Sequence, residues 1–191
     1  NNNQASGPIL TNGIGILATN SDILIDRNYV IDAGIGIDVV VGGTGSASTG
    51  VTPRIVSNVI VGNLTGVDLN GDAALQLKSG IPVRVTNNTF AFNTYGITVH
   101  AGSSFSAAGN AGAFAAIDNN IFAQNFLLSS TTIRTGAAVS DTSTPAAVVT
   151  MRSNLFSNNG ASSTSTTDDV LKVPGFSMGT QGNFTGTPGF V

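Results

Sequence analysis

The chain has 191 residues, 41% of them hydrophobic and only 9% charged, with a net charge of −3 and a mean hydropathy of +0.25. That length fits one domain or two small ones, and the apolar content excludes a disordered chain. All ten acids are Asp, Cys is absent and Asn occurs 20 times, which excludes a mostly helical protein, a disulfide scaffold, a thiolate zinc site and a basic nucleic-acid-binding domain. No apolar run reaches the roughly 18 residues of a membrane span, and the opening Asn1-Asn2-Asn3-Gln4 reads as a mature or excised piece.

The strand pattern starts at Ile14 and then recurs behind an Asn. Tyr29-Val30-Ile31 follows Asn28, Val59-Ile60-Val61 follows Asn58, and Thr89-Phe90-Ala91 follows Asn88. Ile121-Phe122-Ala123 follows Asn120, and Leu155-Phe156-Ser157 follows Asn154. The spacings are 30, 30, 32 and 34 residues. A second Asn stands five residues after four of these anchors, at Asn63, Asn93, Asn125 and Asn159, with Ala33 in the first repeat. Gly36, Gly66 and Gly96 open alternating segments such as Gly36-Ile37-Asp38-Val39. Apolar residues precede each anchor by three (Ile25, Ile55, Val85, Ile117, Met151) and follow it by two (Val30, Ile60, Phe90, Phe122, Phe156).

Such columns describe a solenoid of short parallel strands, three per coil, with like residues stacked about 4.8 Å apart. The Asn columns are expected to sit at bends, where Asn tolerates left-handed backbone angles, and to bond to one another as ladders. The Gly columns are expected at bends where a side chain would clash or where a positive φ is needed. A bare coil needs roughly 21 residues, so the excess forms insertions between the first and second strands. These are placed at Gly42 to Gly50, Asn70 to Gly80, Ala101 to Ala113 and about Ser129 to Ala147. The whole chain, 1–191, is expected to be one domain of about six coils, clear over 11–160 and irregular over 161–191.

The stretch Val83-Arg84-Val85-Thr86-Asn87-Asn88-Thr89-Phe90-Ala91-Phe92-Asn93-Thr94-Tyr95-Gly96-Ile97 resembles the right-handed parallel β-helix repeat of the pectate-lyase superfamily. Val173-Pro174-Gly175-Phe176 and Pro188-Gly189-Phe190-Val191 resemble segments that close bacterial surface β-helix proteins. The resemblance implies a right-handed coil and a place outside the cell or on its surface. In relatives with enzymatic activity, the groove over the first strand of each coil is the polysaccharide site. Neither end shows a recognisable cap, so the ends are expected to meet copies of the chain or adjacent coils of a longer parent.

On that first strand Asp38, Asp68 and Thr98 share one outward column, and Val40, Asn70 and His100 share the next. Close carboxylates can hold a hard cation or divide acid and base roles, which makes Asp38 and Asp68 candidates for catalysis or for calcium, and His100 a further catalytic candidate. No other cofactor is expected. Asn70 and Thr98 are candidate carbohydrate contacts, as are Arg54 and Arg84, which stack around a bend on the second strand. Solvation alone explains a two-Asp column more simply, and the single histidine gives no assured triad. Asn63, Asn87 and Asn183 each match Asn-x-Thr, but a ladder Asn is committed to its neighbours. The Phe column reads as an internal stack and not a sugar platform. A non-catalytic structural or adhesive role in an extracellular fibre or surface protein is therefore expected, with a polysaccharide lyase, glycoside hydrolase or glycan-binding module as the alternative.

Overall fold

The computed structural model describes residues 13–41, 52–71, 82–101, 114–128, 134–143, 149–160, 170–171, 173 and 176–188. Every regular element among them is a strand. Sheet A holds β1 (Ile14–Thr19), β4 (Ile35–Val41), β7 (Thr65–Gly71), β10 (Tyr95–Ala101), β15 (Ala137–Asp141) and β18 (Val170–Leu171). Sheet B holds β2 (Leu24–Asp26), β5 (Arg54–Val56), β8 (Val83–Thr86), β11 (Ala115–Asp118) and β16 (Val149–Arg152). Sheet C holds β3 (Tyr29–Ile31), β6 (Val59–Val61), β9 (Thr89–Ala91), β12 (Ile121–Ala123), β17 (Leu155–Ser157) and β19 (Phe184–Thr185). All pairings within these sheets are parallel and link one coil to the next, which is a β-solenoid. Five coils carry all three strands and a sixth carries only β18 and β19 among the described residues, slightly short of the expected six.

Parallel, in-register pairing puts equivalent residues over one another, so each inward column must pack against itself. Ile25, Ile55, Val85, Ile117 and Met151 lie in register on sheet B and are all buried. On sheet C the inward column is Val30, Ile60, Phe90, Phe122 and Phe156. Its rings stack face to face, with centroids 4.9 Å apart for Phe90 and Phe122 and 5.3 Å for Phe122 and Phe156. Phe176 then meets Phe156 edge-on at 5.8 Å and covers the last ring. The internal Phe stack inferred from the sequence is thus present, and the sugar-platform alternative has no exposed ring in that column.

Two Asn ladders brace the bends. Asn58 shows the pattern: its backbone N–H and its amide both donate to Asn88 Oδ1, at 2.8 and 3.0 Å. The same amide also donates to the carbonyls of Ile25 and Val56. The repeat of this arrangement runs through Asn28, Asn58, Asn88, Asn120 and Asn154, and in parallel through Asn63, Asn93, Asn125 and Asn159. The first ladder continues one rung further, to Asn183, whose oxygen accepts from Asn154. The Asn183 N–H, unlike that of the other rungs, donates to the Thr180 carbonyl and not to a further Asn among the described residues. The described residues of 161–191 therefore add β18, β19 and a ladder rung.

Three other expectations are corrected. The left-handed residues are not the ladder Asn but those just before them: Arg27, Ser57, Asn87, Asn119, Ser153 and Gly182 in one column, Asp32, Gly62, Phe92, Gln124 and Asn158 in the other. Gly36, Gly66 and Gly96 lie in strands and not at bends; the expected side-chain clash is present, since a Cβ would come within 2.5–2.6 Å of a carbonyl oxygen of the next coil. The segment Ser129 to Ala147 is not one insertion, since it contains β15. A short antiparallel hairpin, β13 (Leu127–Leu128) with β14 (Arg134–Thr135), is inserted ahead of that strand. The remaining insertions fall mostly outside the described residues.

Candidate functional site

The outer surface of sheet A gathers the polar side chains singled out from the sequence. Register pairs Asp38 with Asp68 and Asp68 with Thr98; two residues on, it pairs Val40 with Asn70 and Asn70 with His100. Alternation along each strand turns Ile37 and Val39 inward and leaves Asp38 on the outer side. Asp38 and Thr98 are nonetheless buried, each 7% exposed.

Asn70 lies between the two carboxylates, its amide donating to Asp38 Oδ1 at 2.9 Å and to Asp68 Oδ2 at 3.1 Å. The other oxygen of Asp68 accepts from the Thr98 hydroxyl and from His100 Nε2, the latter at 3.0 Å. Nδ1 of His100 contacts the hydroxyl of Thr142, which also reaches the Val99 carbonyl at 3.1 Å. A continuous polar chain thus crosses four coils: Asp38, Asn70, Asp68, His100 and Thr142.

The environments of the two acids differ. Burial pushes Asp38 up, reinforced by the Asp68 charge and opposed by the Asn70 hydrogen bond. Burial also acts to raise Asp68, but the His100 and Thr98 hydrogen bonds and the His100 charge outweigh it and hold that carboxyl below its usual range. His100 is raised, first by its bond to Asp68, against burial, with the charges of Asp68, Asp141 and Asp38 adding to the effect. Paired groups with oppositely shifted affinities for protons are the raw material of acid–base chemistry. As a cation site the pair is less suited, because the Asn70 amide occupies the bridging position with its own N–H groups. Among the described residues no three or more metal-binding side chains converge.

Arg54 and Arg84 stack in register on the outer side of sheet B, both exposed, and do not join the sheet A cluster. Near them is a residue the sequence reading passed over, Asp118, which pairs with Arg152. Burial raises its carboxyl against the nearby Arg152 and Arg84 charges, and its Oδ1 is buried without a hydrogen bond among the described residues. Of the Asn-x-Thr matches, Asn63 and Asn183 are buried ladder members and only Asn87 is exposed. Lys78, Lys172, Asp168 and Asp169 lie outside the described residues.

Thr142 was also missed: Val99 pairs with Asp141, so Thr142 continues the column of Val40, Asn70 and His100. Asp141 itself takes an inward position behind Val39, Leu69 and Val99, fully buried, and accepts from the Ser143 N–H at 2.9 Å. Searches against protein-family models, curated proteins and solved structures find no match to this chain. No helix among the described residues is long and apolar enough to cross a membrane.

Proposed function

We propose that the chain is a rigid, non-catalytic structural or adhesive element of an extracellular fibre or cell-surface protein. Its coil is taken to be right-handed, in the manner of the pectate-lyase superfamily, as the Val83 to Ile97 stretch suggests. The supporting observation is the pair of ladders: six stacked Asn in one and four in the other, each buried amide in the middle coils bonded to the coils on both sides. A regular axial lattice of this kind resists extension and shear along its whole length. A further coil, from a copy of the chain or from a longer parent, would be accepted at the first turn. There Asn28 Oδ1 accepts no bond among the described residues, and Leu17, Leu24 and Ile31 are exposed.

A second reading, a carbohydrate-active or glycan-binding module, is favoured by one observation, the Asp38–Asn70–Asp68 bridge with its divided proton affinities. Incubation with a panel of acidic polysaccharides and calcium, followed by detection of unsaturated or reducing ends, separates the structural reading from the enzymatic form of the second, and retention of uncleaved polysaccharide by the chain marks its binding form. No turnover is expected; turnover abolished by Asp68→Asn would replace the structural reading with the enzymatic one.

A further inference from the structure

We propose that Thr142 is an activated hydroxyl and a site of covalent acylation, with His100 as its general base and Asp68 as the residue that positions His100. The inference goes beyond the structural reading and does not depend on it.

The hydrogen bonds fix the roles. An ionised carboxylate can only accept, so the proton between Asp68 Oδ1 and His100 Nε2, 3.0 Å apart, belongs to the ring. In the neutral imidazole Nδ1 is then a lone pair, and it faces the Thr142 hydroxyl. That hydroxyl has one proton and two acceptors within reach, Nδ1 and the Val99 carbonyl. With neutral His100 the proton points to Nδ1; with protonated His100 the ring donates and the hydroxyl turns to Val99. Asp68 is itself held by Thr98 and Asn70, so its orientation is fixed from two further sides. Exposure rises along the chain, from 13% for the Asp68 side chain to 43% for His100 and an exposed Thr142, so the hydroxyl end of the chain is its most solvent-accessible part. A nucleophile bonded to a base, the base bonded to an orienting carboxylate, is the arrangement that activates a hydroxyl.

The reagent class is an ester or thioester acyl donor. Thr142 Oγ1 attacks the carbonyl carbon while His100 Nδ1 takes its proton. The bond from carbon to the leaving alkoxide or thiolate then breaks, and His100 returns the proton to that leaving group. The product is an O-acylated Thr142 and a free alcohol or thiol.

The test uses the whole chain and p-nitrophenyl acetate across the pH range in which His100 titrates. Nitrophenolate release gives the rate, and fragment mass spectrometry gives the position of the acyl group. The expected result is a single acetyl at Thr142, with a rate that climbs with pH through one titration. Thr142→Val and His100→Gln are expected to be slower by about 100-fold or more, the usual loss of a general base or its nucleophile. Asp68→Asn should lower the rate and also move the midpoint to lower pH, because the imidazolium loses its carboxylate. A merely structural role for Asp68 would leave the midpoint in place. Acetyl groups spread over several exposed hydroxyls, an acyl group carried by His100 itself, or a Thr142→Val rate equal to that of the unaltered chain would overturn the proposal. If the His100 and Asp68 variants fail to fold, the label position in the unaltered chain and the Thr142→Val comparison still decide it.

Discussion

Truncating one rung of the longer Asn ladder tests the central physical claim. Asn88 is 1% exposed. Its amide donates to Ile55 O at 2.9 Å, Thr86 O at 3.0 Å and Asn120 Oδ1 at 3.1 Å, and its oxygen accepts the Asn58 N–H at 2.8 Å and the Asn58 amide at 3.0 Å. Asn88→Ala removes the acceptor of two buried donors and the donor to the Ile55 carbonyl. A buried polar group left without a partner costs about 1–3 kcal/mol, so the loss is expected at about 3–5 kcal/mol, a large part of the roughly 5–15 kcal/mol of a domain. Asn28→Ala is the internal control, because Asn28 is only half-buried, it donates to Asp26 O and Asn58 Oδ1, and its own oxygen accepts nothing among the described residues. That variant should lose about 1 kcal/mol, the net worth of one ordinary hydrogen bond. Guanidinium unfolding followed by far-ultraviolet circular dichroism measures both. Equal losses for the two variants, or a loss below about 1 kcal/mol for Asn88→Ala, would refute the ladder as a cooperative support.

Four further outcomes are expected. Ala33→Asn should stabilise the fold by about 0.5–1.5 kcal/mol, since the Ala33 N–H already donates to Asn63 Oδ1 and the new amide could join it, a gain visible in the denaturation midpoint. Phe122→Ala should lose about 3–5 kcal/mol by opening a void between the rings of Phe90 and Phe156, measured in the same way. Gly66→Ala should cost about 1–3 kcal/mol, because its Cβ would meet the Gly96 oxygen at 2.5 Å and the Phe90 ring at 3.1 Å. His100, the single histidine of the chain, has a folded-state affinity for protons raised above its ordinary value of 6.5. Its contribution is therefore complete below about pH 6.5 and fades as pH rises through the folded value. The melting-temperature difference between the unaltered chain and His100→Gln should shrink across that interval, and a difference independent of pH would contradict it.

The coils were legible because in-register parallel pairing makes every column a repeated trial of the same environment. Ile25, Ile55, Val85, Ile117 and Met151 differ in shape, yet all had to be apolar to share one buried line. The left-handed columns were illegible for the opposite reason. Arg27, Ser57, Asn87, Asn119 and Ser153 have exposed side chains, so the bend constrains their backbone and leaves side-chain identity open. A left-handed turn of a residue with a Cβ costs about 1–2 kcal/mol, and here each such residue directly precedes a ladder Asn whose bonds offset that strain.

The polar chain on sheet A was half legible, and the missing half shows where periodic reasoning fails. Asp38, Asp68, Asn70, Thr98 and His100 could be grouped because each glycine of the first three repeats stands eight residues after its anchor. In the fourth, Ala138 takes that place, since Tyr95 pairs with Ala137 and Ile97 with Val139, and it stands 18 residues after Asn120. The hairpin β13–β14 supplies the difference. Counting by fixed offset therefore assigned β15 to a loop and lost Thr142 with it. Alternation, unlike offset, survives an insertion: Val139 and Asp141 turn inward while Ser140 and Thr142 continue the outward columns of Thr98 and His100. The inward place of Asp141 is the local exception to an apolar line, and it brings a buried carboxylate close enough to bias His100 toward its charged form. Reading the fourth coil by alternation joins His100 to a carboxylate on one side and a hydroxyl on the other, and that pairing makes the lone histidine of this chain a testable site of chemistry.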